Sequence, residues 1–210
     1  MGQLIYVNPE KCNLSLTCIR VCPAKAIRIV NKHAEIMPSR CIGCGNCVTM
    51  CGQNAIEVRD EKQHLRDLLK SNVPVAAVCD PAISAEYLDI TDYRKFVGML
   101  RSLGFSYVME AAFGVDLVSF KYRELLYNFQ GKYYITTKCP PVTSQVEKYH
   151  PELVENLAPI VPPYVAMAKV TRRLYGDDTK VVYITACVAA KDDARQFKGD
   201  GRTDSVLSFL

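Results

Sequence analysis

The spacing of the cysteines constrains this chain more than any other feature. Between positions 41 and 51 the sequence reads Cys41-x2-Cys44-x2-Cys47-x3-Cys51. Counting back from Cys22 in the same register meets Cys18, then Ser15, then Cys12. The stretch Cys12-x5-Cys18-x3-Cys22-Pro23 is therefore the same run with serine in its second slot. Each run has a matching tail, Ala24-Lys25-Ala26-Ile27 and Gln53-Asn54-Ala55-Ile56, so the front of the chain is an internal duplication. A disulfide framework suits short secreted chains. Residues 1–20 lack the layout of a signal peptide, and seven of the ten cysteines fall between Cys12 and Cys51. That density points to metal ligands. Zinc knuckles are the competing reading, but they close with four ligands rather than two interleaved runs.

Two-residue gaps let a tight loop wrap three thiolates around one face of an iron–sulfur cubane. In two-cluster ferredoxins the fourth cysteine of each run crosses to the other cluster. Residues 1–60 resemble such a module. The resemblance implies one 4Fe–4S cluster on Cys22, Cys41, Cys44 and Cys47. It implies a second, 4Fe–4S or 3Fe–4S, on Cys12, Cys18 and Cys51, with Ser15 at the remaining corner. A serine oxygen is a harder ligand than a thiolate. Serine ligation, a labile iron with water or an outside ligand, and a three-iron cluster all stay open.

Composition changes near residue 60. Before it the pattern predicts short strands at Leu4–Val7, Ala26–Val30, Ala34–Met37 and Ala55–Arg59 between cysteine-rich loops. Residues 61–72 read as a connecting helix and linker, with leucines and charges at helical spacing in Glu61–Lys70. From 73 to 210 strand-like and helix-like segments alternate. Strands are expected at Val73–Cys79, Phe105–Met109, Tyr133–Thr137 and Lys180–Ala186. Helices are expected at Asp92–Leu103, Val115–Phe129, Thr143–Tyr149 and Tyr164–Tyr175. Alternation of this kind implies βαβ crossovers. The fold class is thus an α+β two-cluster ferredoxin-like module followed by an α/β domain with a mostly parallel sheet. With 49% hydrophobic and 23% charged residues and a net charge of +4, the 210 residues read as a cytoplasmic globular protein. No basic stripe suggests nucleic acid, and no apolar run suggests a membrane span. Nothing fixes the oligomeric state.

Three cysteines remain. Cys79, Cys139 and Cys187 each follow a predicted strand, where ligands bind in open α/β sheets. For Cys79 simple burial is the default. The surroundings of the other two resemble the iron-iron hydrogenase family. The matching stretches are Pro81-Ala82, Leu103-Gly104-Phe105, Phe113-Gly114-Val115-Asp116-Leu117, Thr137-Lys138-Cys139-Pro140, Val146-Glu147-Lys148-Tyr149-His150-Pro151-Glu152-Leu153 and Ala186-Cys187-Val188-Ala189-Ala190-Lys191. The resemblance implies Cys139 and Cys187 as two of four ligands of an H-cluster-type cubane. The other two belong to a later motif, expected beyond residue 210. Asp204–Leu210 accordingly looks like an element interrupted in mid-course. Where the family's first active-site motif has a proton-relaying cysteine this chain has Lys138. A lysine relays protons only when desolvation lowers its pKa. Where the second motif has two lysines only Lys191 remains, with Ala190 in the first place. Lys138 and Lys191 are the candidate catalytic residues, and the changes around them suggest a slow or sensory member.

Three functions follow. One is a hydrogenase-like oxidoreductase or hydrogen sensor, wired by its ferredoxin clusters to a redox partner protein or output module. Another is an electron-carrier subunit without an H-cluster. The third is a non-catalytic iron–sulfur assembly or scaffold protein on the same fold. Asp192-Asp193 reads as a capping or solvated pair.

Overall fold

The computed structural model describes residues 2–89, 91–128, 131 and 133–209. The duplication is visible in the backbone. The first half contributes β1 (Ile5–Val7), α1 (Thr17–Val21) and β2 (Ile27–Val30). The second contributes β3 (His33–Ile36), α2 (Asn46–Thr49) and β4 (Ile56–Val58). Strands β1 and β4 pair antiparallel, with Ile5 opposite Val58, and β2 pairs with β3, with Ile27 opposite Ile36. Left-handed residues recur at equivalent places: Lys25 and Asn54 after each run, and Leu14 and Leu16 against Gly43 and Gly45 within it. The apolar residues Leu4, Ile5, Ile27, Ala34, Ile36 and Ile56 form a small core from which the cysteines radiate.

Helix α3 (Lys62–Lys70) leads to β5 (Val75–Cys79), the short α4 (Ile83–Glu86), α5 (Tyr93–Ser102) and β6 (Tyr107–Glu110). Asp92 caps α5 by accepting the Arg94 N–H at 2.9 Å. Then come α6 (Ala112–Tyr127), α7 (Pro140–Tyr149), α8 (Pro163–Tyr175), β7 (Lys180–Thr185), α9 (Ala190–Asp193) and β8 (Ser205–Ser208). The sheet has four strands in the order β6-β5-β7-β8, and every pairing is parallel.

Alternation along the strands assigns the faces. Val78, Val181, Tyr183 and Val206 meet Tyr164, Val165, Met167 and Ala168 of α8 on one side. Val75, Ala77, Cys79, Val182 and Ile184 meet Leu100 of α5 on the other, with Leu65, Leu68 and Leu69 of α3 packed against them. Helices thus cover both faces, as a fully buried parallel sheet requires. Gly114 lets α6 lie on α8: a Cβ there would collide with the Pro163 carbonyl oxygen and sit 2.7 Å from Met167 Cγ. Arg172, 3% exposed, ties α8 to β8 through Asp204 at 2.8 Å and through the Asp200 and Arg202 carbonyls.

Two expectations change. Tyr133–Thr137 forms no strand among the described residues; it makes one isolated bridge, Ile135 to Leu157. The Thr137 N–H donates to the Tyr122 hydroxyl of α6 at 3.0 Å, and the Thr137 hydroxyl donates to the Ile160 carbonyl at 2.5 Å. Those bonds hold the segment outside the sheet. The C-terminal stretch, for which no strand was assigned, contributes one to the sheet, β8. Helix α6 begins three residues before its expected start; the expected end, Phe129, lies outside the described residues, as does Leu210.

Candidate metal centres

The front module brings its cysteines together in two groups. One small cavity is lined by Cys12, Ser15, Cys18 and Cys51. The other is lined by Cys22, Cys41, Cys44 and Cys47. In each group one cysteine comes from the end of the opposite run. The crossing cysteines are held alike: the Ala26 N–H donates to Cys22 Sγ and the Ala55 N–H to Cys51 Sγ, both at 3.3 Å. Hydrogen bonds to sulfur of this kind tune cluster potentials.

Electrostatics divides the thiols in the same way. Burial pushes Cys47 up to about 12, the next contributions come from Cys41, Cys44 and Cys22 of its own group, and Cys18 of the other group adds the least. Burial also raises Cys18, with neighbouring Cys12 and Cys51 adding to it. Thiolates crowded in a small apolar core need a positive charge at their centre, and iron supplies one. Among the described residues no three His, Cys, Asp or Glu side chains converge on a point suited to one metal ion. Two crossed sets of ligand positions, each borrowing its last cysteine from the other run, suit a pair of iron–sulfur cages better than two separate zinc sites.

A third, larger cavity opens at the carboxyl ends of β5 and β7. Its walls include Asp80, Lys138, Cys139, Tyr164, Tyr183, Cys187 and Ala190. Cys139 is exposed and stands at the N-cap of α7, after an irregular segment rather than a strand. Cys187 follows β7; burial raises its thiol, and Cys139 contributes to the shift. Lys138 lines the cavity and is exposed. Lys191 does not line this cavity. It is 5% exposed, and its Nζ donates to the Arg59 carbonyl at 2.7 Å. Desolvation lowers its pKa. Cys79 is buried on the opposite face of the sheet, where burial lifts its thiol to about 12.

Apart from Asp193, read as a capping or solvated residue, several residues that shape this cavity were not singled out in the sequence. Asp80 accepts from the Tyr183 hydroxyl at 2.6 Å and the Thr185 hydroxyl at 3.1 Å, and Thr185 Oγ1 accepts the Cys187 N–H at 3.1 Å. The loop after β5 thereby fixes the loop carrying Cys187. The Tyr164 hydroxyl donates to Asp193 Oδ2, and burial raises the Asp193 carboxyl above the ordinary aspartate value. The Asp193 side chain is neither a cap nor fully solvated. An Asp directly after a β-rich run, as in Cys79-Asp80-Pro81, was the one available signal.

The two halves meet at the cysteine loops. Lys148 Nζ donates to the Cys41 carbonyl at 2.5 Å, and the Tyr149 hydroxyl lies 2.6 Å from the Ala24 carbonyl. Arg59 Nη1 pairs with Asp192 at 2.7 Å, and its Nη2 donates to the Lys191 carbonyl at 3.0 Å. Val188, next to Cys187, is buried in the core of the front module. A Cβ on Gly43 would lie 3.1 Å from the Ala189 Cβ.

Comparison with known proteins agrees with this division. The family described as iron only hydrogenase large subunit, C-terminal domain, matches residues 73–210. The 4Fe-4S dicluster domain matches residues 4–52. Iron hydrogenase 1 of Clostridium pasteurianum is 25% identical over 83% of this chain and 42% of its own length. A component of the ion-translocating oxidoreductase complex of Methanosarcina acetivorans is 50% identical over 42 residues, 20% of this chain and 16% of that protein. The chain spans less than half the length of either relative. Among the described residues no helix is long and apolar enough to cross a membrane.

Proposed function

Because the chain belongs to the iron only hydrogenase large subunit family, we propose that it relays electrons through two ferredoxin-type clusters to a third centre of the H-cluster type at Cys139 and Cys187. The reading rests on one observation: the loop of Cys41 and Cys44 lies against the loop of Cys187. Gly43 touches Ala189, and Val188 is buried in the front module's core. The loop whose Cys41 and Cys44 would hold one cluster, with Cys22 and Cys47, therefore packs directly on the loop that carries Cys187 to the rim of the third cavity. The cluster of Cys12, Cys18 and Cys51 is then the one that meets a redox partner protein or output module.

When bound, a cubane joined to a two-iron subsite supplies the hydrogen chemistry, and it requires two donors besides Cys139 and Cys187. The chain's own residues prepare the place. Asp80 orients the Cys187 loop through Tyr183 and Thr185. Tyr164 Oη, in the cavity wall, holds a proton that Asp193 accepts in hydrogen bonding. Asp193 also lines the neighbouring cavity between the halves, together with Glu147. That pair connects the third cavity to a polar exit. Ala190 stands in the wall where the family's motif has lysine, and this favours hydrogen sensing or slow turnover over fast hydrogen production. The same feature suits an electron carrier or assembly scaffold with no two-iron subsite.

Iron and sulfide counts on anaerobically matured protein separate these readings. Two front cubanes account for about eight irons. A third centre adds to that number, and the increment vanishes in a Cys139→Ala, Cys187→Ala double variant. Carbonyl and cyanide infrared bands mark the H-cluster type. An iron content untouched by the double substitution would leave the carrier reading in place.

A further inference from the structure

The two front cavities are built on the same repeat, and at one corner they differ in four coordinated ways. Ser15 replaces the thiol that the other repeat has at Cys44. It is exposed, whereas Cys44 is half-buried. Its hydroxyl donates to Gln53 Oε1 at 3.4 Å, and Gln53 stands where the other repeat has the buried Ala24. A polar, solvent-facing pair thus occupies the place of a thiol beside a methyl group. Leu14 and Leu16, at φ 60° and 61°, nevertheless keep the left-handed turns that Gly43 and Gly45 adopt at 73° and 81°. Leucine takes that conformation only at a cost that glycine avoids. The loop therefore retains the shape that presents position 15 to the cavity, while the side chain presented is a weak donor for iron.

We propose that this cavity holds an exchangeable ferrous ion. Cys12, Cys18 and Cys51 grip three irons, and the fourth, at the Ser15 corner, leaves on oxidation and returns on reduction. A one-electron oxidant takes an electron from the 4Fe–4S cluster at the 2+ level. The cluster then releases Fe2+, breaking that iron's bonds to its three bridging sulfides, and a 3Fe–4S cluster at the 1+ level remains. In the reverse direction one electron reduces the three-iron cluster to the neutral level, and Fe2+ restores the 2+ cubane. No cysteine bond breaks in either direction. The proposal rests on the iron–sulfur reading of residues 4–52 and is independent of the centre at Cys139 and Cys187.

The test uses the full chain, purified anaerobically and titrated with ferricyanide under argon. A ferrous chelator measures released iron while electron paramagnetic resonance follows the clusters. The expected result is release of one ferrous ion per chain, matched by the near-isotropic signal of an oxidised three-iron cluster. Ferrous ion with dithionite reverses both. Ser15→Cys supplies the missing thiolate and abolishes the release. Where Ser15→Cys assembles poorly, Ser15→Ala decides: an open corner predicts the same iron release as the native chain. A Ser15→Ala protein already short of iron as isolated would show that the serine is a true ligand and overturn the proposal. The four-cysteine cavity is the internal control. Loss of both clusters together, or of neither, also overturns it.

Discussion

Replacing Gly43 by alanine tests how tightly the two halves are joined. Gly43 has φ +73°, in the left-handed region, and its missing Cβ faces Leu4 Cδ2 at 3.0 Å, Ala189 Cβ at 3.1 Å and Ala189 Cα at 3.3 Å. Leu4 can swing its methyl aside. The Ala189 backbone cannot, because Val188 beside it is buried in the front core. The backbone conformation costs an alanine about 1–2 kcal/mol, and overpacking adds about 1–3 kcal/mol. Lower chain entropy in the unfolded state returns roughly 0.4–1 kcal/mol. The net is a destabilisation of about 1–4.6 kcal/mol, which lowers the melting midpoint of a chain this size by roughly 2–18 °C. Two other glycines separate the contributions. Gly199 has φ +65° with nothing within 4 Å, so Gly199→Ala reports strain alone; Gly52 has open space and no positive φ, so Gly52→Ala reports neither. Cluster absorbance and circular dichroism, recorded anaerobically at one scan rate, give comparable midpoints for an unfolding that cluster loss makes irreversible. A Gly43→Ala midpoint equal to that of Gly199→Ala would refute the close approach.

Arg172→Leu strips Asp204 of its most buried partner but leaves Arg202, Lys180 and the Val181 N–H beside it, so it is expected to cost less than the about 3–5 kcal/mol of an orphaned buried charge, measured by anaerobic urea unfolding of the cluster-loaded protein. Lys191→Met removes the bond to the Arg59 carbonyl, so it lowers the thermal midpoint yet leaves the iron content per chain unchanged; a loss of iron specific to Cys139 and Cys187 would put the lysine in the cavity after all. Burial raises the folded-state pKa of Asp193, so its contribution to stability is complete below the ordinary aspartate range and is lost as pH rises through the folded value. Asp193→Asn should flatten that slope in urea midpoints taken across mildly acid pH, and an unchanged slope would show that another group produces it.

The front module was legible because its signal is local. Ligand spacing, the repeated tails and short alternating strands all lie within a few residues of one another, and β1 to β4 fall within a residue or two of their expected places. The apolar runs at β5 and β7 were legible for the same reason. Tyr133–Thr137 had the composition of a strand, but its fate was decided by Tyr122 and Ile160, which capture Thr137. Strand β8 was hidden because both its faces are packed: Val206 serves one and Leu207 the other, so the run shows no alternation of apolar with polar residues. The crossed grouping of Cys22 and Cys51 follows from the repeat, and the structure brings the same residues together. The surroundings of Cys187 could not be read in this way, because Asp80, Tyr183, Tyr164 and Asp193 meet only after long stretches of chain have folded. Lys191 shows the converse: a motif position marked it for the cavity, while burial against Arg59 turned its charge towards the seam.

Val188 belongs by chain to the back half and by packing to the front one. A residue shared in this way makes the two halves hostages to each other. Chelating iron out of the front cage removes what shapes the apolar bed on which Val188 rests, and slackness there reaches Cys187 through a single peptide bond. Assembly should therefore have a direction: the front cages fill before the rim at Cys187 takes its final form.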